Sequence, residues 1–387
     1  MPILASLRQR GHHVTIFTLA DELGHLDPLG IEAFAIDALV ELIQIKDWQA
    51  RWSWRASLSV IDTFIERARY DAADLTRAIA THDPDVLLID INCWGAAISA
   101  EASELPWAMY SPYLLPLSSR DAPPFGLGLR PTAGLLGKTR DAILHRAADG
   151  GFARFIAPAL NQLRTRHGLP PLTGFDAMLE RPPLLLALTA EGFEYPRSDW
   201  PANVRLVGPM QWAPPQAMPP WLLHMRGPIV LVTCSSEYQR DARMVEVALQ
   251  ALPPEGISVI ATTAANDPRA FNVPRGSKVV RYAPHEAILE RAVCAVCHGG
   301  MGITQKALAA GVPVVAVPFG RDQHETARRV EVAQAGVRLH PRRLTPDRLL
   351  ASVQMAIDRR AGAQRVSHAY AAAGGAEAAA DACEALA

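Results

Sequence analysis

Residues 297–323 read CHGGMGITQKALAAGVPVVAVPFGRDQ. An apolar run ending at Cys297 enters a His298-Gly299-Gly300 turn, a short helical stretch follows, and a second apolar run, Val314 to Val317, leads to Arg321-Asp322-Gln323. Strand, glycine turn, helix, strand is the unit from which parallel sheets covered by helices are built. Gly299, Gly300 and Gly302 carry no side chain to hold an anion away from the backbone. The helix they open points its unpaired N–H groups and positive dipole end toward such an anion. A pocket for a phosphate ester is therefore expected here.

The same stretch resembles the nucleotide-sugar-dependent glycosyltransferases that act on macrolides, glycopeptides, plant metabolites and steroids. The resemblance rests on three elements in order, His298 to Gly300, Gly311 to Pro313, and Asp322 with Gln323. It is strongest from about 229 to 340, good from 84 to 112 and weak between 113 and 200. It implies an α/β fold of two doubly wound, Rossmann-like domains facing across a cleft (GT-B), with sugar nucleotide on the second and acceptor on the first.

Composition agrees with two domains. A chain of 387 residues exceeds one ordinary core. A formal charge of -1 favours neither nucleic acid nor an acidic membrane as partner. No run of 18 or more apolar residues and no signal peptide is legible, so no transmembrane segment and a cytoplasmic setting are expected. Five cysteines, an odd number, fit a reducing compartment.

Short apolar runs predict strands at 14–18, 31–36, 86–90, 107–110 and 184–188, then at 229–233, 257–261, 278–282, 293–297 and 314–317. Helices are expected near 56–81 and 151–167. The stretch 111–150, rich in proline, glycine and leucine, reads as a lid or pocket wall. The proline-rich stretch 209–228 reads as a linker between an acceptor domain, 1–208, and a donor domain, 229–365. An alanine-rich tail, 366–387, reads as a helix broken at Gly374 and Gly375, which in the family crosses back to the first domain.

Two motifs are set aside. Cys294, Cys297 and His298 imitate a haem-attachment signature, but odd spacing on a strand sends the thiols to opposite faces. Asp83-Pro84-Asp85 imitates a metal-binding Asp-x-Asp, yet Pro84 and the following strand make it a turn.

The resemblance assigns the donor site as follows. His298 donates to a phosphate oxygen while the backbone of Gly300, Met301 and Gly302 faces the others, a buried helix-capping histidine being the alternative. Tyr282 stacks on the base, with His285 after it, or else Tyr282 is a core residue. Asp322 and Gln323 bind sugar hydroxyls, or form an exposed acidic loop. Ser236 contacts phosphate, although Ser235 stands where relatives have glycine. Lys306 occupies the place of a glutamate that binds ribose and cannot accept those hydrogen bonds, so ribose recognition is expected to pass to Gln305 and a deoxythymidine donor stays open. No metal or other cofactor is expected.

On the acceptor side, Asp90 closes the strand VLLID and matches an aspartate that orients the family's catalytic histidine. A helix N-cap is the competing role. The histidine itself is absent from this sequence, and His12 and His13 lie in the turn into the second strand. The expectation is that the missing strand and Gly-His loop are encoded just upstream of Met1. Tryptophans 48, 52, 54, 94 and 107 and Phe125 gather in the first half. Trp94 and Phe125 are the candidates for an aromatic acceptor cleft.

These readings converge on an inverting, metal-independent transferase moving a sugar from a UDP- or dTDP-sugar to a hydroxyl of a lipophilic small molecule such as a polyketide, macrolide or glycolipid core. The alternatives are a non-catalytic nucleotide-sugar-binding partner and a sugar-nucleotide epimerase.

Overall fold

Val230, Leu231 and Val232 have no exposed surface, and neither do their neighbours Ala295 and Val296. Continuous apolar runs of this kind belong to parallel strands buried on both faces, and the computed structural model has that architecture. It describes residues 1–387 apart from 27, 28, 45–52, 133, 213–216, 237, 238 and 240, and leaves the side chains of 53–57 undescribed. Trp48 and Trp52, and the side chain of Trp54, therefore lie outside the described residues.

Three parallel sheets carry the described strands. In the first half β1 (Thr15–Thr18) pairs with β2 (Glu32–Ala35), and β3 (Leu87–Asp90), β4 (Trp107–Ser111), β5 (Leu184–Ala187) and β6 (Val204–Leu206) form a second sheet in that order. In the second half β7 (Ile229–Thr233), β8 (Ser258–Thr262), β9 (Lys278–Val280), β10 (Ala292–Cys297), β11 (Val314–Ala316) and β12 (Gly336–Arg338) line up as β9-β8-β7-β10-β11-β12. That is the doubly wound order, in which the connections reverse direction between β7 and β10. Crevices at such a reversal, outside the carboxyl ends of the strands, are where these sheets bind ligands.

The sheet of the second half separates two apolar layers. Cys297 packs on one side with Met301, Leu308 and Tyr370, while Cys294 packs on the other with Val245 and Val353. Their thiols are unpaired and buried on opposite faces, as strand alternation requires. In the first half the long helix Ser53–His82 crosses the helix Trp94–Ala102 so closely that a Cβ on Gly95 would overlap the carbonyl of Ala68. Glycine is required at that crossing.

Several sequence expectations are refined. The helix expected near 151–167 is two, Leu135–Phe155 and Ala157–Arg166, divided before Pro158. The expected lid is thus an extended loop followed by a helix. The tail is broken as expected, with Gly374 at φ +84° and Gly375 at φ +59°. Its last helix, Gly375–Glu384, lies against the helix Pro2–Gln9, where Arg10 bridges Glu377, Asp381 and Glu384 at 2.6, 2.6 and 2.7 Å. No helix among the described residues is long and apolar enough to cross a membrane.

Buried charges join the two halves. Arg329, on the helix Gln323–Val332, pairs with Glu194 at 2.7 Å and with Glu325 at 2.7 Å, and its guanidinium lies 4.0 Å above the ring of Tyr195. The other face of Glu325 accepts the backbone N–H groups of Gly126 and Gly128 at 2.9 and 2.6 Å. A Cβ at Gly128 would come within 2.5 Å of the His324 carbonyl. The loop of the first half is therefore seated directly on the helix that follows Asp322.

Candidate functional site

Three loops meet at the carboxyl edge of the second sheet: residues 234–236 after β7, the His298 turn after β10, and residues 317–322 after β11. Gly299 has φ +86°, and a Cβ there would lie 3.2 Å from the Gln323 carbonyl. This glycine lets the second and third loops touch. The Val317 N–H donates to the Cys297 carbonyl at 2.8 Å, which fixes them further.

Gly300 is the N-cap of the helix Met301–Ala309, and no side chain caps it. The first N–H satisfied within the helix is that of Thr304, which donates to the Gly300 carbonyl. The amides before it are open at the positive end of the helix dipole. His298, 9% exposed, lies across this opening, and a Cβ on Gly300 would overlap its Nε2. Burial lowers the His298 pKa and so favours the neutral ring, and Nε2 is the nitrogen beside the helix start. With its proton on Nε2, such an imidazole is suited to donating a hydrogen bond to an oxyanion. Beside it, Gly302 faces open space, with nothing within 4 Å of where a Cβ would stand.

The loop after β7 is held from below. Buried Asp241 accepts the Ser235 N–H at 2.6 Å, leaving Ser236 exposed at the rim. Asp322, the N-cap residue of its helix, is buried enough that its carboxyl pKa is raised. Tyr282 stands 69% exposed, free to stack on a planar ligand.

Across the seam, Asp90 ends β3. Its Oδ1 accepts both the backbone and the side-chain N–H of Asn92, each at 2.8 Å. The helix cap is Cys93, so Asp90 closes a turn and does not cap. Asn92 Oδ1 in turn accepts the Tyr113 hydroxyl at 2.6 Å. Tyr113 packs against the apolar layers of both halves. Its phenol is pushed up by burial, then by the charges of Asp90 and Asp322.

Comparison with known proteins gives this geometry a family. Residues 249–386 match the erythromycin biosynthesis protein CIII-like C-terminal domain. The chain is 36% identical over 323 residues to 4'-demethylrebeccamycin synthase of Lentzea aerocolonigenes, covering 80% of this chain and 76% of that one. It is 33% identical over 315 residues to a PGL/p-HBAD biosynthesis glycosyltransferase of Mycobacterium tuberculosis (strain ATCC 25177 / H37Ra), covering 78% of this chain and 70% of the relative. The chain belongs to the nucleotide-sugar-dependent glycosyltransferases. Its fold is GT-B: the solved calicheamicin glycosyltransferase CalG4 superposes with a TM-score of 0.76 over 100% of this chain and 93% of the other, at 18% identity.

In this glycosyltransferase the structure corrects four of the sequence assignments. Trp94 is a core residue of the first half, 7% exposed with its ring 5.3 Å from that of Phe64, and forms no cleft wall. Gln305 is buried and its amide donates to the Leu188 carbonyl at 2.6 Å, so it ties the halves together and is not available to ribose. Gln323 is turned inward, accepting from Phe319 and Gly320 N–H at 2.8 and 3.1 Å and donating to Gln239 at 2.5 Å. It shapes the loop that carries Asp322. His285 bonds Thr262 at 3.0 Å, and burial followed by the charge of Lys306 lowers its pKa to about 4.

Phe125 packs at the seam on the apolar layer that includes Met301, as Tyr113 does. Lys306 donates to the Trp212 carbonyl at 3.2 Å and lies 3.7 Å from Glu286. Sequence reading had missed Asn92, Tyr113 and Asp241. The only available signal for the first two was the polar pair Asp90 and Asn92 at a strand end.

Proposed function

We propose that this glycosyltransferase transfers sugar from a UDP- or dTDP-sugar to a hydroxyl of a lipophilic small molecule, inverting the anomeric carbon and using no metal. The observation that carries the reading is the uncapped start of the helix Met301–Ala309 with His298 Nε2 across it, at the point where the strand order reverses. Breaking the anomeric bond moves negative charge onto the β-phosphate. Amides, a helix dipole and an imidazole N–H already aimed there stabilise that charge more in the transition state than in the bound donor.

Around this anchor, Ser236 contacts a phosphate oxygen, Tyr282 stacks on the base and Asp322 accepts from sugar hydroxyls. Lys306 in place of a carboxylate removes an acceptor for the ribose hydroxyls, which favours a deoxythymidine donor. The acceptor approaches over Phe125 and Tyr113, aromatic surfaces that suit a flat apolar aglycone. As its hydroxyl attacks, its proton passes to the carboxylate of Asp90. The domain division is proposed as 1–208, a linker at 209–228, 229–365 and a crossing tail. Five unpaired thiols support a reducing, cytoplasmic setting.

Calorimetric titration with UDP and dTDP tests the anchor. Both are expected to bind, and His298→Ala to weaken both by about tenfold or more. Binding that is indifferent to this substitution would refute the assignment.

A further inference from the structure

Asp90 is the carboxylate on which the acceptor side turns, and it does not stand alone. One Asn92 side chain faces two ways: Nδ2 donates to Asp90 Oδ1 at 2.8 Å, and Oδ1 receives the Tyr113 hydroxyl at 2.6 Å. The amide has two orientations differing by a half-turn, and only this one satisfies both neighbours. Turned over, it would present an oxygen to a carboxylate and two N–H groups to a hydroxyl. Tyr113 is itself fixed, because its ring packs against the apolar layers of both halves and its backbone carbonyl accepts the Ser111 hydroxyl at 2.8 Å.

The groups facing Asp90 come from several elements. The helix Ser53–His82 presents Asp71, with Arg67 beside it; the turn presents the Cys93 thiol; β4 presents Tyr110; and Tyr113 follows β4. Asp71 and Asp90 repel, and donors hold Asp90 against that repulsion: Asn92 twice, from backbone and side chain, and the Tyr110 hydroxyl.

We propose that Asn92 and Tyr113 are a positioning pair for Asp90: the Tyr113 hydroxyl locks the Asn92 amide in the orientation that holds the carboxylate at the seam between acceptor and donor. This rests on the reading of Asp90 given above.

Tyr113→Phe keeps the ring and its packing and removes only the hydroxyl. In the 15N spectrum of the full chain, the Asn92 side-chain NH2 is expected to exchange with water about tenfold faster in Tyr113→Phe than in the unsubstituted protein. Asp90→Asn is expected to shift the same resonance. Transfer from dTDP-glucose or UDP-glucose to the phenol 4-methylumbelliferone supplies the second readout. Tyr113→Phe and Asn92→Ala should each lower kcat about tenfold with donor KM unchanged, and the double variant should be no slower than Asn92→Ala, since Tyr113 acts through Asn92. Additive losses, or an Asn92 resonance unmoved by Tyr113→Phe, overturn the pair. Undiminished kcat in Asp90→Asn with the resonance still responsive overturns instead the reading of Asp90, so the two failures are told apart.

Discussion

The imidazole of His298 lies across Gly300 so closely that no Cβ could be placed on that glycine without overlapping Nε2. The helix start is thus open to a ligand on one side and roofed by a ring on the other. Two glycines in this turn do different work. Gly300→Ala must displace the imidazole and should weaken UDP and dTDP binding by about tenfold while lowering stability. Gly302→Ala meets nothing within the protein, so it should raise stability by up to about 1 kcal/mol through helix propensity. It should nonetheless weaken diphosphate binding, because the methyl group enters the ligand's space. Denaturant melts alongside calorimetry check both, and equal behaviour of the two variants would contradict the geometry.

The seam has its own test. Arg329 is 2% exposed between Glu194 and Glu325, and Glu194 Oε2 already has no hydrogen-bond partner. Arg329→Ala leaves buried Glu325 without its cation and Glu194 with only Arg197, 3.6 Å away. A loss of about 3–5 kcal/mol is expected. Arg329→Lys should recover little of it, because an ammonium cannot serve both acids with the geometry of a planar fork and cannot stack on Tyr195 in the same way. Thermal unfolding of the two variants measures the difference.

Legibility in the sequence followed the range of the contacts involved. The second half was readable almost strand by strand, because its runs are apolar enough to be buried on both faces; β12, only Gly336-Val337-Arg338, was missed as too short to register. The same brevity hid β6, Val204–Leu206. In 111–150, Gly137, Gly150 and Gly151 masked the helix Leu135–Phe155, which buries only Gly137 and Phe152 and so carries little apolar periodicity to read. Backbone features of the site could be read, since glycine and a strand end announce themselves locally. Side-chain directions could not. Gln305 was assigned to ribose because its partner, Leu188, is 117 residues away in sequence. Tyr113 was overlooked because its link to Asn92 forms only once β3 and β4 lie side by side.

Two buried groups should pull stability in opposite directions with pH. His285 titrates near 4, below its ordinary 6.5, chiefly because burial disfavours the charged ring. The unfolded chain therefore binds the extra proton first, and stability is lost as pH falls from about 6.5 toward 4, by about 3 kcal/mol in all. Asp71 is raised to about 7, first by burial. Its folded form prefers the proton, so its contribution is complete below about 4 and lost as pH rises through 7. Asp71→Asn should consequently stabilise the protein at pH 8 and do little at pH 4.5. His285→Gln should flatten the acid limb alone. Urea unfolding at several pH values reads both slopes, and a variant that moves the wrong limb would show the assigned group to be mistaken.

Lys306 carries the last prediction, on donor choice. Its ammonium is held by the Trp212 carbonyl and lies near Glu286, so it contributes a donor where ribose hydroxyls would need an acceptor. A carboxylate there would accept from the 2′-hydroxyl, a group UDP has and dTDP lacks. Lys306→Glu should therefore strengthen UDP relative to dTDP by about tenfold, the value of one hydrogen bond to a charged group. It also sets a second carboxylate beside Glu286, a like-charge cost that falls on both nucleotides equally, so the ratio of the two dissociation constants is the informative quantity. Lys306→Gln, which lacks that charge, should give a smaller shift in the same direction. An unchanged ratio in both variants would mean that the ribose lies away from this helix and that the base and diphosphate alone select the donor.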